Sequence, residues 1–180
     1  MRIDNVLYRG SINKEFRLTY MYTFEQDGKY QTVLQKDNGN ISIMPSFSIS
    51  ISEGFEKSRM FLPSSKYFQF VLLLKKTVNV ISDNLYDIFP NINKIEFEID
   101  SRVLQRFQTE QAMTVCGMTM IPCVWVDSTN TCYPAIRVTS ANNESIDIPF
   151  EDAMSLSQML QSFSPHQFGL SLLRIIGKVQ

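Results

Sequence analysis

Two stretches of this chain repeat one local plan. Met60-Phe61-Leu62-Pro63 and Ile146-Asp147-Ile148-Pro149 each read as a short strand closed by a proline, and the offset from Pro63 to Pro149 is 86 residues. A helical pattern follows each proline. The same offset lays Phe68 on Met154, Phe70 on Leu156, Leu73 on Met159 and Leu74 on Leu160. Strand, proline and helix thus recur in one frame, which is the mark of an internal duplication. With 180 residues the chain has room for a single domain of two pseudo-repeats, about 1–90 and 91–180.

Ahead of each proline the sequence reads as β-structure. Phe16, Leu18, Tyr20, Tyr22 and Phe24 alternate with Arg17, Thr19, Met21 and Thr23, the period of a strand with one buried face. Gln26-Asp27-Gly28-Lys29 is a turn signal, and Tyr30 to Lys36 is expected to return as the second arm of a hairpin. After the turn at Asp37-Asn38-Gly39-Asn40 comes a long strand, Ile41 to Ser52, with a bend at Pro45 and a row of serines on its even positions. Arg59 to Leu62 makes a fourth strand. Ser64 or Ser65 then caps a helix that runs to about Ile81, with a short further turn that stops at Pro90.

The second half is expected to follow suit. Ile95, Phe97 and Ile99 alternate with Glu96, Glu98 and Asp100, and the strand pattern runs on toward Phe107. Met113 to Val126, Tyr133 to Val138 and Ile146 to Ile148 supply three more strands. Pro149-Phe150-Glu151-Asp152 opens a helix that Ser164-Pro165 breaks, and Phe168 to Ile176 can form a final short one. The expected class is α+β, a tandem ββββα–ββββα chain with two antiparallel sheets packed with helices.

Several functions fall away on composition. His166 is the only histidine, so a site needing two imidazoles is excluded. Cys116, Cys123 and Cys132 lack CxxC spacing and read as reduced thiols of a cytosol-like compartment. The N-terminal residues lack the apolar run of a secretory signal, and Phe68 to Leu74 falls far short of the ~20 residues of a membrane span. There is no GxGxxG or GxxxxGK[ST] phosphate loop. The chain is therefore expected to be cytoplasmic (host cytoplasm if viral), not secreted, without a cofactor or metal and without enzymatic activity.

Four strands, an apolar-x-apolar-Pro end and then an amphipathic helix, twice over, resemble the Whirly family and its single-repeat relatives, the positive-cofactor-four-like binders. Ile146 to Met154 is similar to the corresponding Whirly segment, and the break at Phe163-Ser164-Pro165-His166 resembles the end of that chain. Tyr8-Arg9-Gly10 is similar to the aromatic–basic–glycine opening of the Whirly core, with Ser11 where the family carries a second lysine. The resemblance implies single-stranded nucleic-acid binding, no catalysis and a homotetramer.

Charge and aromatics identify candidate contacts independently. Residues 1–90 carry 11 Lys/Arg against 9 Asp/Glu, and residues 91–180 carry 6 against 9. Arg9, Lys14, Arg17, Lys29 and Lys36 lie on or beside the expected first hairpin, with Tyr8 and Tyr30 among them. Arg102 and Arg106 are expected at the equivalent place in the second repeat, with Trp125 near them in strand order. Cations that meet phosphates beside aromatics that stack bases are what a single-strand binder needs. The expectation is a single-stranded-DNA-binding protein of replication, recombination or transcription, forming a homo-oligomer, a tetramer, with no membrane partner. Two alternatives are a structural or assembly oligomer, such as a viral or phage component, and an RNA-binding protein on the same fold.

Overall fold

The computed structural model describes residues 2–23, 34–37, 40–43, 46–53, 56–62, 66–110, 113–115, 117–165, 167–168 and 171, and side chains at 6–19, 60, 66–106, 117–165, 167–168 and 171. The fold is mixed α+β with two four-stranded antiparallel sheets, a two-stranded hairpin and four helices.

The first sheet holds β1 (Arg2–Arg9), β2 (Arg17–Thr23), β5 (Ser46–Glu53) and β6 (Glu56–Leu62) in the order β1-β2-β5-β6. Four strands were expected here, but their membership differs. The segment Arg2–Arg9 is a strand, and it takes the place beside β2 that the sequence assigns to Tyr30–Lys36. Of that segment, 30–33 lies outside the described residues, and the rest belongs to β3 (Leu34–Asp37), which among the described residues pairs with β4 (Asn40–Ile43) in a separate hairpin. Of the expected long strand, Asn40–Ile43 forms β4 and Ser46–Glu53 forms β5, which belong to different sheets; Met44 and Pro45 lie outside the described residues.

The second sheet is a meander of β7 (Met113–Val115), β8 (Met118–Val126), β9 (Cys132–Thr139) and β10 (Ser145–Pro149). Gly117, at φ +79°, makes the tight β7–β8 connection, and Asn130 and Asn143, both at φ 62°, make the other two turns. One expectation fails. Residues 95–107 do not form a strand. Irregular chain from Asn91 to Asp100 leads into helix α3 (Ser101–Glu110). The Asp100 carboxylate accepts from the backbone N–H of Arg102 at 2.9 Å and of Val103 at 3.4 Å, a side-chain cap that ends the alternating pattern at Ile99.

Helix α1 (Tyr67–Asp83) begins five residues after Leu62, with Lys66 in the cap position and no side-chain cap; Ser64 and Ser65 lie outside the described residues. Helix α2 (Leu85–Ile88) is the short turn before Pro90, and α4 (Phe150–Ser162) begins directly after β10. Helices α1 and α4 pack against one another, and both lie on the second sheet, α1 over β7 and β8 and α4 over β9 and β10. Strand β10 also meets β5 and β6, which joins the two sheets around one core. Phe16, Leu18, Met60, Phe70, Leu74, Ile136, Ile148 and Leu156 are fully buried in it.

Candidate nucleic-acid interface

The register of the first sheet lines up its arginines. Arg9 lies opposite Arg17, Arg17 opposite Ser50, and Ser50 opposite Arg59, one row across all four strands. Directly paired residues share a sheet face. The adjacent row runs Tyr8, Leu18, Ile49 and Met60, and Leu18 and Met60 are fully buried. The arginine row is therefore on the face away from the core. A bulge at Leu7 puts Arg9 there: the register slips between Val6 and Tyr8, so Arg2, Asp4, Val6 and Arg9 share one face. By register that face also holds Thr19, Ser46, Ser48, Ser52, Lys57 and Phe61. Among the described residues, the positions that register places on it include Arg2, Arg9, Arg17, Lys57 and Arg59, with Asp4 as an acidic one.

Like charges directly opposite destabilise a sheet. Arg9 and Arg17 nonetheless face each other, and neither has an ion-pair partner among the described residues. The Arg17 Nε is buried with no hydrogen-bond partner, whereas Arg9 is exposed. Lys14 is exposed in the loop that joins the two strands.

That loop is held from across the molecule. The Asp152 carboxylate, fully buried in the first turn of α4, accepts from the backbone N–H of Ser11 at 2.6 Å, of Asn13 at 3.0 Å and of Ile12 at 3.3 Å. It also accepts from the Ser11 hydroxyl at 3.0 Å and the Tyr8 hydroxyl at 3.1 Å. Successive N–H groups turned toward one anion form a nest. A Cβ on Gly10 would lie 2.1 Å from the Asn13 carbonyl oxygen and 2.9 Å from Asp152 Oδ2, so only glycine fits there. Tyr8 thus stands on the core side of β1, its ring 6.0 Å from that of Phe16, away from the arginine row. Burial, and then the charge of Asp152, push its hydroxyl up to about 12.

The outer face of the second sheet is different in kind. Its row Thr119, Thr139, Ser145 carries hydroxyls, with Thr139 and Ser145 bonded at 2.9 Å. In the row Ile121, Arg137, Asp147 the guanidinium donates to both carboxylate oxygens at 2.7 and 2.8 Å, so its charge is matched. Burial, then Asp147, push the neighbouring Cys123 thiol up. Trp125 is half-buried and lies 5.6 Å from the ring of its cross-strand partner Tyr133.

Of the sequence-predicted residues, the structure brings Arg9 and Arg17 together, with Lys14 in the loop beside them. Arg102 and Arg106 are exposed on α3, one turn apart, and not on a strand equivalent to the first hairpin. Trp125 belongs to the other sheet, and Lys36 to the β3–β4 hairpin. Lys29 and Tyr30 lie outside the described residues. Arg2, Lys57 and Arg59 are not among the sequence-predicted residues; Arg2 beside Ile3 and Arg59 beside Met60 carry a weak signal, and Lys57, between Glu56 and Ser58, carries none. Among the described residues there is no cluster of metal-ligating side chains, and no helix is long and apolar enough to cross a membrane. No family model matches the chain, and no curated protein or solved structure shows significant similarity to it.

Proposed function

We propose that this chain binds single-stranded DNA on the outer face of its first sheet and acts by binding, not catalysis. The row Arg9, Arg17, Ser50, Arg59 is the observation that carries the reading. Arg9 and Arg17, side by side without an ion-pair partner among the described residues, are unfavourable until phosphates arrive, and phosphate contacts dominate nucleic-acid affinity. The next row along, Val6, Thr19, Ser48 and Phe61, combines hydroxyls with apolar groups. Splayed bases of a single strand can meet such a row, and each stacked base contributes about 1–3 kcal/mol. A paired duplex presents no base faces to it.

The same reading extends to the architecture. The two halves are tandem ββββα repeats of Whirly-like plan. In support, each four-stranded sheet is followed by a helix, and four pairs 86 apart, Met60 with Ile146, Tyr67 with Ala153, Phe70 with Leu156 and Leu74 with Leu160, are buried in both members, while Phe68 is exposed where Met154 is half-buried. The protein works as a cytoplasmic homo-oligomer, a tetramer. Phe68 and Leu72, one turn apart on α1, are 73% and 66% exposed, an apolar stripe that a second copy would cover. That stripe also suits the second reading, an assembly protein in which association is the whole function.

Anisotropy titrations separate the readings. Labelled oligo-dT should bind at low salt, a duplex of equal length at least tenfold more weakly, and log affinity should fall with log salt with a slope of about −2 to −3, as three or four phosphate contacts to a single strand require. Absence of binding at low salt would leave the assembly reading. A preference for oligo-U over oligo-dT would move the function to RNA.

A further inference from the structure

The alternating segment Ile95 to Asp100 has the sequence of a strand but is not built into either sheet. From Phe97 to Asp100 it runs without helix, turn or bend. Among the described residues its backbone is linked to a sheet by the Cys132 N–H, which donates to the Ile95 carbonyl at 3.3 Å. The backbone groups of Glu96, Phe97 and Glu98 have no hydrogen-bond partner among the described residues. Phe97 anchors the segment, buried and edge-on to Phe89 at 5.9 Å, while Ile95 is 77% exposed and Glu96 and Glu98 are exposed on either side of Phe97.

Two adjoining cavities border this segment and share Lys94, Phe97 and Cys132. One, of about 420 Å³, is lined by apolar groups that include Ile92, Tyr133, Phe150 and Met154. The other, of about 580 Å³, is lined by Glu96, Glu98, Asn91 and Asn130. An apolar recess thus lies beside two carboxylates, and unpaired backbone runs between them. Nucleic acid would be repelled here.

We infer that residues 95–98 are a docking strand for an extended segment of a partner protein in which basic and apolar residues alternate. The incoming backbone pairs with Glu96 to Glu98 in the manner of strand addition. Side chains on one side of it enter the apolar cavity next to Phe97, and lysines or arginines on its other side meet Glu96 and Glu98. The surface is separate from the arginine row, so this proposal does not depend on DNA binding.

The test uses a fluorescein-labelled octapeptide alternating lysine with valine, the same composition in two blocks, and a glutamate–valine alternation, each titrated into the full chain. The alternating basic peptide should bind with a Kd of about 100 µM or tighter. The block peptide should bind at least tenfold more weakly, and the acidic one not at all. Glu96→Lys/Glu98→Lys, two exposed changes checked by circular dichroism, should lose at least tenfold. Hydrogen exchange should slow at the amides of 96–98 when the peptide is added. Equal affinity for the block peptide, or unchanged exchange at 96–98, would overturn the proposal. So would protection of those amides by oligo-dT, or protection that grows with protein concentration alone, which would assign the surface to a second copy.

Discussion

Asp152 is the residue on which the arrangement of the first strands depends. Its carboxylate accepts backbone N–H groups of Ser11, Ile12 and Asn13, so removing it leaves three donors without that partner, of which the one on Asn13 is buried and the other two are part-buried. An unpaired buried donor costs about 1–3 kcal/mol, and Asp152→Ala should therefore lose about 1–3 kcal/mol in urea denaturation. A loss under about 1 kcal/mol would mean that the loop finds its partners elsewhere. Tyr8 gives the same contact a pH signature. Burial, and then the charge of Asp152, push its hydroxyl up to about 12 in the folded chain against an ordinary 10, so the buried neutral phenol contributes stability that is fully present below about pH 10 and is lost as pH rises toward about 12. The urea midpoint should drop as pH rises from about 10 to about 12, and Tyr8→Phe should flatten that drop. The role of Tyr8 was hidden in the sequence because parity along β1 places it with Val6; only the bulge at Leu7, a backbone feature with no composition signal, turns it inward and Arg9 outward.

Among the elements, strand β2 sets stability against function. Arg17 sits opposite Arg9 with a buried, unpartnered Nε, an arrangement that weakens the sheet by roughly 0.2–1 kcal/mol. Arg17→Thr should leave the urea stability unchanged or raise it by up to about 1 kcal/mol while lowering oligo-dT affinity. A fall in stability with no change in affinity would make Arg17 a structural residue. Legibility also divides by element. Clean period-two or helical patterns with turn residues at their ends, as in β2, β9, β10, α1 and α4, could be read from sequence within a few residues. Partner choice could not: the 30–36 segment is as strand-like as Arg2–Arg9, yet the latter pairs with β2. The change from alternation to helix at Asp100 was missed because a capping aspartate and one more polar residue of a strand face look alike in sequence. For the same reason Arg102 and Arg106 were misplaced, since their four-residue spacing marks a helix face and was read as continuation of a strand.

Over the whole molecule, charge is sorted by surface. By register the first sheet sets Arg9 opposite Arg17, without an ion-pair partner among the described residues, the second shows a face whose Arg137 is matched by Asp147, and the 95–100 segment a carboxylate edge. A net charge of −1 hides this separation entirely. Exposed Phe68 and Leu72 add an apolar stripe on α1, and Phe68→Glu/Leu72→Glu should reduce the mass measured by light scattering to that of a monomer of 20.8 kDa. An unchanged larger mass would place the oligomer contact elsewhere, and a monomeric parent chain would remove the oligomer from the account. The arginine row itself is tested by a comparison of equal charge: Arg9→Glu/Arg17→Glu against Arg102→Glu/Arg106→Glu, both with unchanged circular dichroism, titrated with oligo-dT at about 50 mM salt. The first pair should lose at least tenfold in affinity, about 1.4 kcal/mol, and the second less than about threefold. Equal losses, or a larger loss for the α3 pair, would contradict binding on the first sheet.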